Sequence, residues 1–270
     1  MQMQNHKELS SVAIEGKNIW FSYGDNPIIR GLDFEIKKGK ITTVIGANGC
    51  GKSTLFQLLT KSLVPENGQV LLYGRDVKTI HPREFAKRVA IVHQYHSAPD
   101  DMTVEQLVAL GRTPFLHCGC RTKKDDEIIQ WAMEITEVDG FAHREISRLS
   151  GGQRQRVWIA LSLAQNTNIL FLDEPTTYLD IRYQIEILDL IRKLNREYGI
   201  TIVMVLHDMN QAIHYSDEII GLKDGKLLVK GEPKQVITKE SLQEIYGIGL
   251  RVTQVGQELC VLLPERNQDD

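Results

Sequence analysis

The segment GANGCGKS, residues 46–53, constrains the fold of this chain more than any other feature of its sequence. It has the pattern G-x-x-x-x-G-K-[ST], it follows the apolar run ITTVI, and it precedes a stretch that we predict to be helical. Glycines in this context let backbone N–H groups wrap around phosphate groups, between a strand and a helix. The alternative interpretation is a glycine turn without a function.

The residues of this phosphate loop (residues 46–54) have separate predicted roles toward a nucleotide. Lys52 places a positive charge near the β- and γ-phosphates, and the Ser53 hydroxyl can bind Mg²⁺. Cys50 stands where the pattern accepts any residue, so we assign it no redox role. The predicted nucleotide-binding residues of the loop are Gly46, Ala47, Asn48, Gly49, Cys50, Gly51, Lys52, Ser53 and Thr54.

A second apolar run, ILFL at residues 169–172, ends in two acidic residues. Asp173 can hold Mg²⁺, either directly or through water. Glu174 follows it and can act as a general base that polarises an attacking water. Such a pair can also be a solvated strand end, but together with the phosphate loop it predicts a site for nucleotide hydrolysis.

The pattern of apolar residues predicts an α/β fold. NIWFSY (residues 18–23) and LDFEI (residues 32–36) are typical of strands, which we expect to be antiparallel. Farther along, ILFLDEP, IRYQIEILDLIRKL and ITIVMVLHD alternate between strand, helix and strand, which predicts a mostly parallel sheet covered by helices. From about residue 96 to residue 163 the pattern is mostly helical, and we expect this stretch to be a subdomain inserted into this core.

One domain is predicted over residues 12–246, followed by a tail at 247–270. Near its end, IIGLKDGKLLVKG is typical of a hairpin that turns at Asp224 and Gly225. The stretch KESLQEIYG then predicts a short helix.

Charge and hydropathy disfavour several classes of protein. The formal net charge of −3 gives no basic surface for nucleic acid. The longest aliphatic run, residues 202–206, is far shorter than the roughly 20 residues that cross a bilayer, and the N-terminus lacks the apolar stretch of a signal peptide. We therefore expect a chain that stays in the cytosol.

The four cysteines, Cys50, Cys118, Cys120 and Cys260, do not form a disulfide framework in a chain of this size. LHCGC places His117, Cys118 and Cys120 close together in sequence, which allows a metal site. The segment lacks a second pair of ligands, so a plain loop is the simpler interpretation.

A second candidate phosphate-binding site lies in LSGGQRQR, residues 149–156, where two glycines begin a predicted helix. Four further residues are weak signals when each is taken alone: Tyr23 in FSYG, Gln94 in VHQ, Asp180 in TTYLD and His207 at the end of a predicted strand. A polar residue at a strand end is more often structural than functional.

In their order along the chain, these residues, the phosphate loop, LSGGQ and LDEP resemble the ATP-binding cassette family, the ATPase subunits of ABC transporters. The resemblance covers about residues 12–246. It implies that Tyr23 stacks on adenine, that Gln94 reaches Mg²⁺ and the attacking water, and that His207 contacts the γ-phosphate. Gln94, Glu174 and His207 are then the expected catalytic residues, with Ser53, Gln94 and Asp173 at the metal.

The resemblance also accounts for the second candidate phosphate-binding site, in LSGGQ. Subunits of this family form head-to-tail dimers that hold two ATP molecules, each between the phosphate loop of one chain and the LSGGQ segment of the other. Hydrolysis then removes the γ-phosphate contacts that closed the dimer. The residues expected to serve the partner's ATP are Ser150, Gly151, Gly152, Gln153 and Asp180.

VALGRTPF, PTTYLDI and HDMNQA resemble the branch of this family that energises uptake of ferric siderophores and related metal chelates. The resemblance implies separate permease subunits, an extracytoplasmic binding protein as an indirect partner, and a peripheral position at the cytoplasmic face of the membrane. Cobalamin, haem and other metal complexes are alternative cargoes. Two other classes are less favoured. A soluble ABC ATPase that acts on ribosomes or DNA, or a regulatory ATPase, usually has a second cassette or a long coiled-coil insertion, and a nucleotide-binding scaffold without turnover does not need Glu174 and His207.

Overall fold

The computed structural model describes residues 11–95, 97–116 and 120–264. Its strands are β1 (Val12–Tyr23), β2 (Asn26–Lys37), β3 (Ile41–Gly46), β4 (Asn67–Leu72), β5 (Arg75–Asp76), β6 (Val89–Val92), β7 (Ile169–Asp173), β8 (Thr201–Val205), β9 (Glu218–Lys223), β10 (Lys226–Gly231), β11 (Arg251–Val255) and β12 (Glu258–Leu262).

Its α-helices are α1 (Lys52–Leu59), α2 (Pro82–Ala86), α3 (Val104–Ala109), α4 (Lys123–Ile135), α5 (Gly151–Ala164), α6 (Ile181–Tyr198), α7 (Met209–Tyr215), α8 (Pro233–Val236) and α9 (Lys239–Tyr246). The chain divides into two compact units. The first unit contains the residues up to 79 and those from 203 onward, and the second unit contains residues 80–202. No helix among the described residues is long and apolar enough to span a bilayer.

The first unit contains an antiparallel sheet in the order β2-β1-β4-β5. The register pairs Gly16 of β1 with Phe34 of β2 and with Val70 of β4. The apolar side chains of these strands point into the core, where Ile14, Ile19 and Val70 are almost fully buried. The predicted antiparallel strands at the N-terminus are confirmed.

A second sheet of the first unit places β3 beside β9, with the order β10-β9-β3-β8. β3 and β9 are parallel, and every residue of β3 is buried, as expected for an apolar strand that is covered on both faces. β9 and β10 form the predicted hairpin, which turns at Asp224 (φ 48°) and Gly225 (φ 75°). A tight two-residue turn needs positive φ at both positions. Asp and Gly tolerate this conformation, so the sequence favours a hairpin here.

The end of the first unit contains more structure than the sequence indicated. The predicted short helix is present as α9, but the region predicted as a tail contains the antiparallel hairpin of β11 and β12. The side chain of Asn210 in α7 attaches this hairpin, because its amide donates to the Val261 carbonyl at 3.2 Å and accepts from the Val261 N–H at 2.8 Å.

The second unit contains the parallel strands β6 and β7 and the helices α2 to α6. A buried ion pair links parts of this unit. Arg112 Nε lies 2.8 Å from Asp125 Oδ1, in the first turn of α4. The same guanidinium donates to the carbonyl of Ala164, the last residue of α5. The described residues between 97 and 163 form α3, α4, most of α5 and short 3-10 segments, and the subdomain boundaries at 96 and 163 stay a prediction.

Candidate functional site

The phosphate loop begins at the end of β3, turns sharply, and continues into the first residues of α1. Gly46 has φ 154°, and a Cβ atom there would lie 2.6 Å from the Leu222 carbonyl oxygen and 2.5 Å from Cys50 Sγ. Only glycine fits this close approach of two backbones. Gly51 caps α1 with a left-handed backbone and without a side-chain hydrogen bond, so no side chain of its own covers the first N–H groups of the helix.

Lys52 lies inside the curve of the loop, and its side chain is almost fully buried. Its Nζ donates to the carbonyl oxygens of Gly46 at 2.8 Å and of Ala47 at 3.0 Å. A buried ammonium needs such partners, because its transfer from water is unfavourable. The positive charge, the glycine conformations and the helix N-terminus together fit a bound polyphosphate.

The other loop residues differ in their access to solvent. Asn48, Gly49 and Ser53 are exposed, whereas Thr54 is buried under the loop. Burial raises the pKa of the Cys50 thiol, and the Cys50 carbonyl accepts from the Gly225 N–H at 3.0 Å. A buried thiol with a raised pKa is a poor nucleophile, which agrees with the interpretation that Cys50 has no redox role.

Two further predicted residues belong to the first unit. Tyr23 is 51% exposed, its ring stands edge-on to Phe21 at 4.9 Å between centroids, and its hydroxyl lies 3.4 Å from Gln57 Oε1. His207 is exposed and follows β8, directly before Asp208, whose carboxylate caps α7 through the Gln211 N–H. An exposed aromatic face and an exposed imidazole suit the proposed contacts with a base and a phosphate, and both roles stay predictions.

The acid pair lies in the second unit at the end of β7. Asp173 is the last residue of the strand, and Glu174 follows with φ 50°, a left-handed backbone that is uncommon for a residue other than glycine. Glu174 Oε2 accepts a hydrogen bond from Gln94 Nε2 at 2.7 Å and one from Thr177 Oγ1 at 3.0 Å. The structure therefore brings Gln94 and Glu174 into contact, and the catalytic roles of both residues stay predictions.

The LSGGQ segment, also in the second unit, forms the N-terminus of the fourteen-residue helix α5. Ser150 and Gln153 form a capping box: Ser150 Oγ accepts from the Gln153 N–H at 3.3 Å, and Gln153 Oε1 accepts from the Ser150 N–H at 3.0 Å. Gly152 packs so closely on the Tyr183 ring that a Cβ atom would overlap it. Gly151 is exposed, so the N-terminus of α5 is accessible to solvent at this residue.

Asp180 has a structural role of its own, because its carboxylate caps α6 by accepting from the Tyr183 N–H at 3.1 Å. The role of Asp180 toward a nucleotide stays a prediction. The possible metal segment is only partly described: His117 and Cys118 lie outside the described residues, and Cys120 is exposed. No group of three or more potential metal-binding His, Cys, Asp or Glu side chains occurs in the part of the chain that the structure describes.

The sequence did not single out Thr177, whose hydroxyl donates to Glu174 Oε2, or the contacting pair Tyr95 and Tyr178. Tyr95 and Tyr178 lie with their hydroxyl oxygens 3.4 Å apart. Tyr178 lies within the segment PTTYLDI, but its contact with Tyr95 depends on the pairing of β6 with β7 and has no signal in the local sequence.

The chain matches one protein family and has close relatives among known transport proteins. The model of the ABC transporter family matches residues 29–177. The chain is 45% identical over 253 residues to the probable siderophore transport system ATP-binding protein YusV of Bacillus subtilis, with 92% of each chain covered. It is 43% identical over 241 residues to the iron(3+)-hydroxamate import ATP-binding protein FhuC of the same organism, with 89% of this chain and 90% of the relative covered.

Two solved structures resemble the chain over most of its length. A chain of a transporter classed as being of the metal-chelate type, in an inward-facing conformation, has a TM-score of 0.81 and 28% identity, with 94% of this chain and 96% of that chain covered. A dimeric ATP-binding cassette in a post-hydrolysis state, bound to ADP and Pi, has a TM-score of 0.70 and 29% identity, with 82% and 98% covered. The predicted fold class, a P-loop NTPase core with a mostly parallel sheet and N-terminal antiparallel strands, is confirmed.

Proposed function

The chain belongs to the ABC transporter family, and we propose that it is the ATP-hydrolysing subunit of an importer for ferric siderophores or related iron chelates. One observation carries this proposal: relatives that share more than 40% of their residues with this chain, over about nine-tenths of its length, have names that specify ATP binding and siderophore or iron(3+)-hydroxamate transport. A chelate of iron(III) is therefore the expected cargo.

The residues of the phosphate loop support the proposed binding of ATP. Lys52 would neutralise charge on the β- and γ-phosphates, while loop N–H groups and the N-terminus of α1 would donate to their oxygens. Tyr23 would stack on the adenine ring. Ser53, Asp173 and Gln94 each carry an oxygen donor of the kind that Mg²⁺ prefers, and the family resemblance implies that they would hold this ion. Bound Mg²⁺ would supply positive charge at the phosphate oxygens.

Hydrolysis needs a group that accepts a proton from water, and Glu174 is that group in our proposal. Water attacks the γ-phosphorus, a new P–O bond forms, and the bond from the γ-phosphorus to the bridging oxygen breaks to give ADP and phosphate. The Glu174 carboxylate accepts the proton that the water loses, and His207 would contact the γ-phosphate. The family resemblance supports a shared action of these residues on one ATP.

Two copies of the chain would hold two ATP molecules in a head-to-tail dimer. The solved cassette that resembles this chain and binds ADP and Pi is a dimer, which supports this arrangement. The exposed Gly151 at the start of α5 offers helix N–H groups to an anion on the partner's phosphate loop. Ser150, Gly152, Gln153 and Asp180 would shape this second contact.

Transport by such a subunit requires separate permease subunits, and the proposed position is the cytoplasmic face of the membrane. The helical insertion between Gln94 and LSGGQ is the proposed docking surface for the permease. Because Gln94 directly precedes this segment and bonds to Glu174, it could report the state of the nucleotide to that surface.

Deleting the gene tests the proposed cargo. We expect the deletion strain to grow poorly with a ferric siderophore as the sole iron source, wild-type chain to restore growth, and Glu174→Gln to fail. Uptake of labelled cobalamin and of haem in the same strain separates the alternative cargoes. Normal uptake of ferric siderophores in a deletion strain without a redundant ATPase would overturn the cargo assignment and leave the ATPase assignment intact.

A further inference from the structure

The turn that follows β7, residues 174–178, holds two residues other than glycine in the left-handed region of backbone space. Glu174 has φ 50° and Tyr178 has φ 64°. This conformation is unfavourable for residues with a side chain, so it persists only where surrounding contacts hold it. Within the turn, the Thr177 N–H donates to the Glu174 carbonyl at 3.2 Å.

The inner contact of this turn involves the carboxylate of Glu174. Thr177 Oγ1 donates to Glu174 Oε2 at 3.0 Å, and Gln94 Nε2 donates to the same oxygen at 2.7 Å. Thr177 belongs to the turn itself, whereas Gln94 follows β6, so one carboxylate oxygen is held from two independent segments. Hydrogen bonds to a charged acceptor are about twice as strong as bonds between neutral groups.

An outer contact joins the same two segments. Tyr95 directly follows Gln94, Tyr178 directly follows Thr177, and the two hydroxyl oxygens lie 3.4 Å apart. The hydrogen bond to Tyr178 raises the pKa of Tyr95. Tyr95 is 74% exposed and Tyr178 is 80% exposed, so burial of these residues does not account for the contact.

We propose that Thr177 and the hydroxyl contact between Tyr95 and Tyr178 position the Glu174 carboxylate for hydrolysis. This inference rests on the proposed role of Glu174 as the general base. Thr177 acts directly on the carboxylate oxygen, and the tyrosine pair holds the 174–178 turn against the segment that contains Gln94. All three are positioning residues, because they act through Glu174 and not on the reacting atoms.

A positioning role predicts a loss of rate without a loss of binding, since a displaced base slows proton transfer and leaves the nucleotide contacts in place. Thr177→Val keeps the shape of the side chain and removes the donor, and we expect kcat for ATP to fall about tenfold with KM within about twofold of wild type. Thr177→Ser keeps the donor and is expected to retain most of the wild-type kcat.

The matched control for this substitution is Thr79→Val, which removes an exposed threonine hydroxyl that bonds to the Asp76 carbonyl at 2.8 Å. Its kcat is expected to equal that of wild type. A wild-type kcat for Thr177→Val, or an equal loss in Thr177→Ser, would contradict the role of Thr177. Thermal unfolding of each variant shows whether a loss of rate comes from a loss of folded protein.

The tyrosine pair is tested independently by Tyr95→Phe, Tyr178→Phe and the double variant, which keep the rings and remove the hydroxyl groups. Each single change is expected to lower kcat about two- to threefold, and the double change is expected to lower it no further, because both remove the same contact. Tyr198→Phe, in α6, is the control. Wild-type rates in all three variants, or losses that multiply in the double variant, would contradict the role of the pair.

Glu174→Gln, measured in the same series, separates this inference from the proposed function. Retained hydrolysis in Glu174→Gln would overturn the assignment of Glu174 as the base. If Glu174→Gln is inactive while Thr177→Val and the tyrosine variants keep the wild-type kcat, only the positioning inference fails.

Discussion

Gln94 Nε2 donates to Glu174 Oε2 at 2.7 Å, a contact between residues 80 positions apart in the chain. β6 and β7 are parallel and pair Val89 with Ile169 and Val92 with Leu172. Parallel strands bring their carboxyl ends to the same edge of a sheet, which places the residues after both strands side by side. Strand pairing thus puts the predicted base beside the residue predicted to sense the nucleotide.

Lys52→Ala is expected to weaken ATP binding about 10- to 100-fold, because the phosphates lose a charged donor. Titration with a fluorescent ATP analogue measures the affinity. Lys226→Ala, in the exposed first residue of β10, is the matched control and is expected to bind as wild type does. Undiminished affinity in folded Lys52→Ala would contradict the assignment of the phosphate loop.

Tyr23→Ala is expected to weaken ATP binding more modestly, about 2- to 10-fold, since the lost interaction is stacking and apolar contact. Tyr23→Phe retains the ring and is expected to bind almost as wild type does. The same titration with a purine and a pyrimidine nucleotide shows whether stacking is involved. If the affinities for both nucleotides are unaffected in Tyr23→Ala, the stacking role is wrong.

Much of the fold could be predicted because its signals are local. The turn at Asp224 and Gly225 and the phosphate loop, which contains Lys52 and Ser53, each require particular residues in adjacent positions. The hairpin of β11 and β12 was missed because a side chain 51 positions away, Asn210, helps to hold it. A contact of that kind leaves no periodic pattern in the segment itself.

The candidate site could be predicted only in part, for a similar reason. Glu174 follows an apolar run and stands next to another acid, so its position has a local signal. Thr177 and Tyr95 have no such signal. The Thr177 hydroxyl reaches Glu174 only when the 174–178 turn has formed, and Tyr95 reaches Tyr178 only when β6 pairs with β7. Asp180 was predicted as a nucleotide contact, but its side chain also caps α6, a role that the motif did not indicate.

The buried pair of Arg112 and Asp125 predicts a dependence of stability on pH. Hydrogen bonds from the Thr122 backbone and hydroxyl, and then the Arg112 guanidinium, lower the pKa of Asp125 to about 2. A lowered folded-state pKa stabilises the fold above the unfolded value of about 4, and this contribution is lost as pH falls toward 2. We expect the wild type to lose more stability between pH 5 and pH 2.5 than Asp125→Asn does, measured by urea unfolding.

Arg112→Ala gives a second measurement on the same pair. It leaves a buried carboxylate without its cation, and we expect a loss of about 3–5 kcal/mol in the free energy of unfolding at pH 7. Arg192→Ala, which removes an exposed partner of Asp189, is the control and is expected to cost less than about 1 kcal/mol. Equal effects of the two substitutions would show that the buried pair does not fasten α4 to α5.

Mixing two defective chains tests whether one ATP contacts both copies. Lys52→Ala binds its own ATP poorly, and Ser150→Arg cannot serve the ATP of its partner, so neither homodimer has an intact site. A mixed dimer has one, and we expect ATP-dependent dimerisation in the mixture alone. Ser150 also caps α5, so circular dichroism must show that Ser150→Arg is folded. Absence of recovery with both chains folded would favour a role of LSGGQ within one chain.

The central claim is that this chain hydrolyses ATP with Glu174 as the base, and the most direct measurement compares wild type with Glu174→Gln. The substitution keeps the size of the side chain and removes the proton acceptor, so we expect kcat to fall by about 10² to 10⁴. Gel filtration with ATP and Mg²⁺ should then show Glu174→Gln as a persistent dimer. A Glu174→Gln chain that stays monomeric and hydrolyses ATP at the wild-type rate would contradict the account.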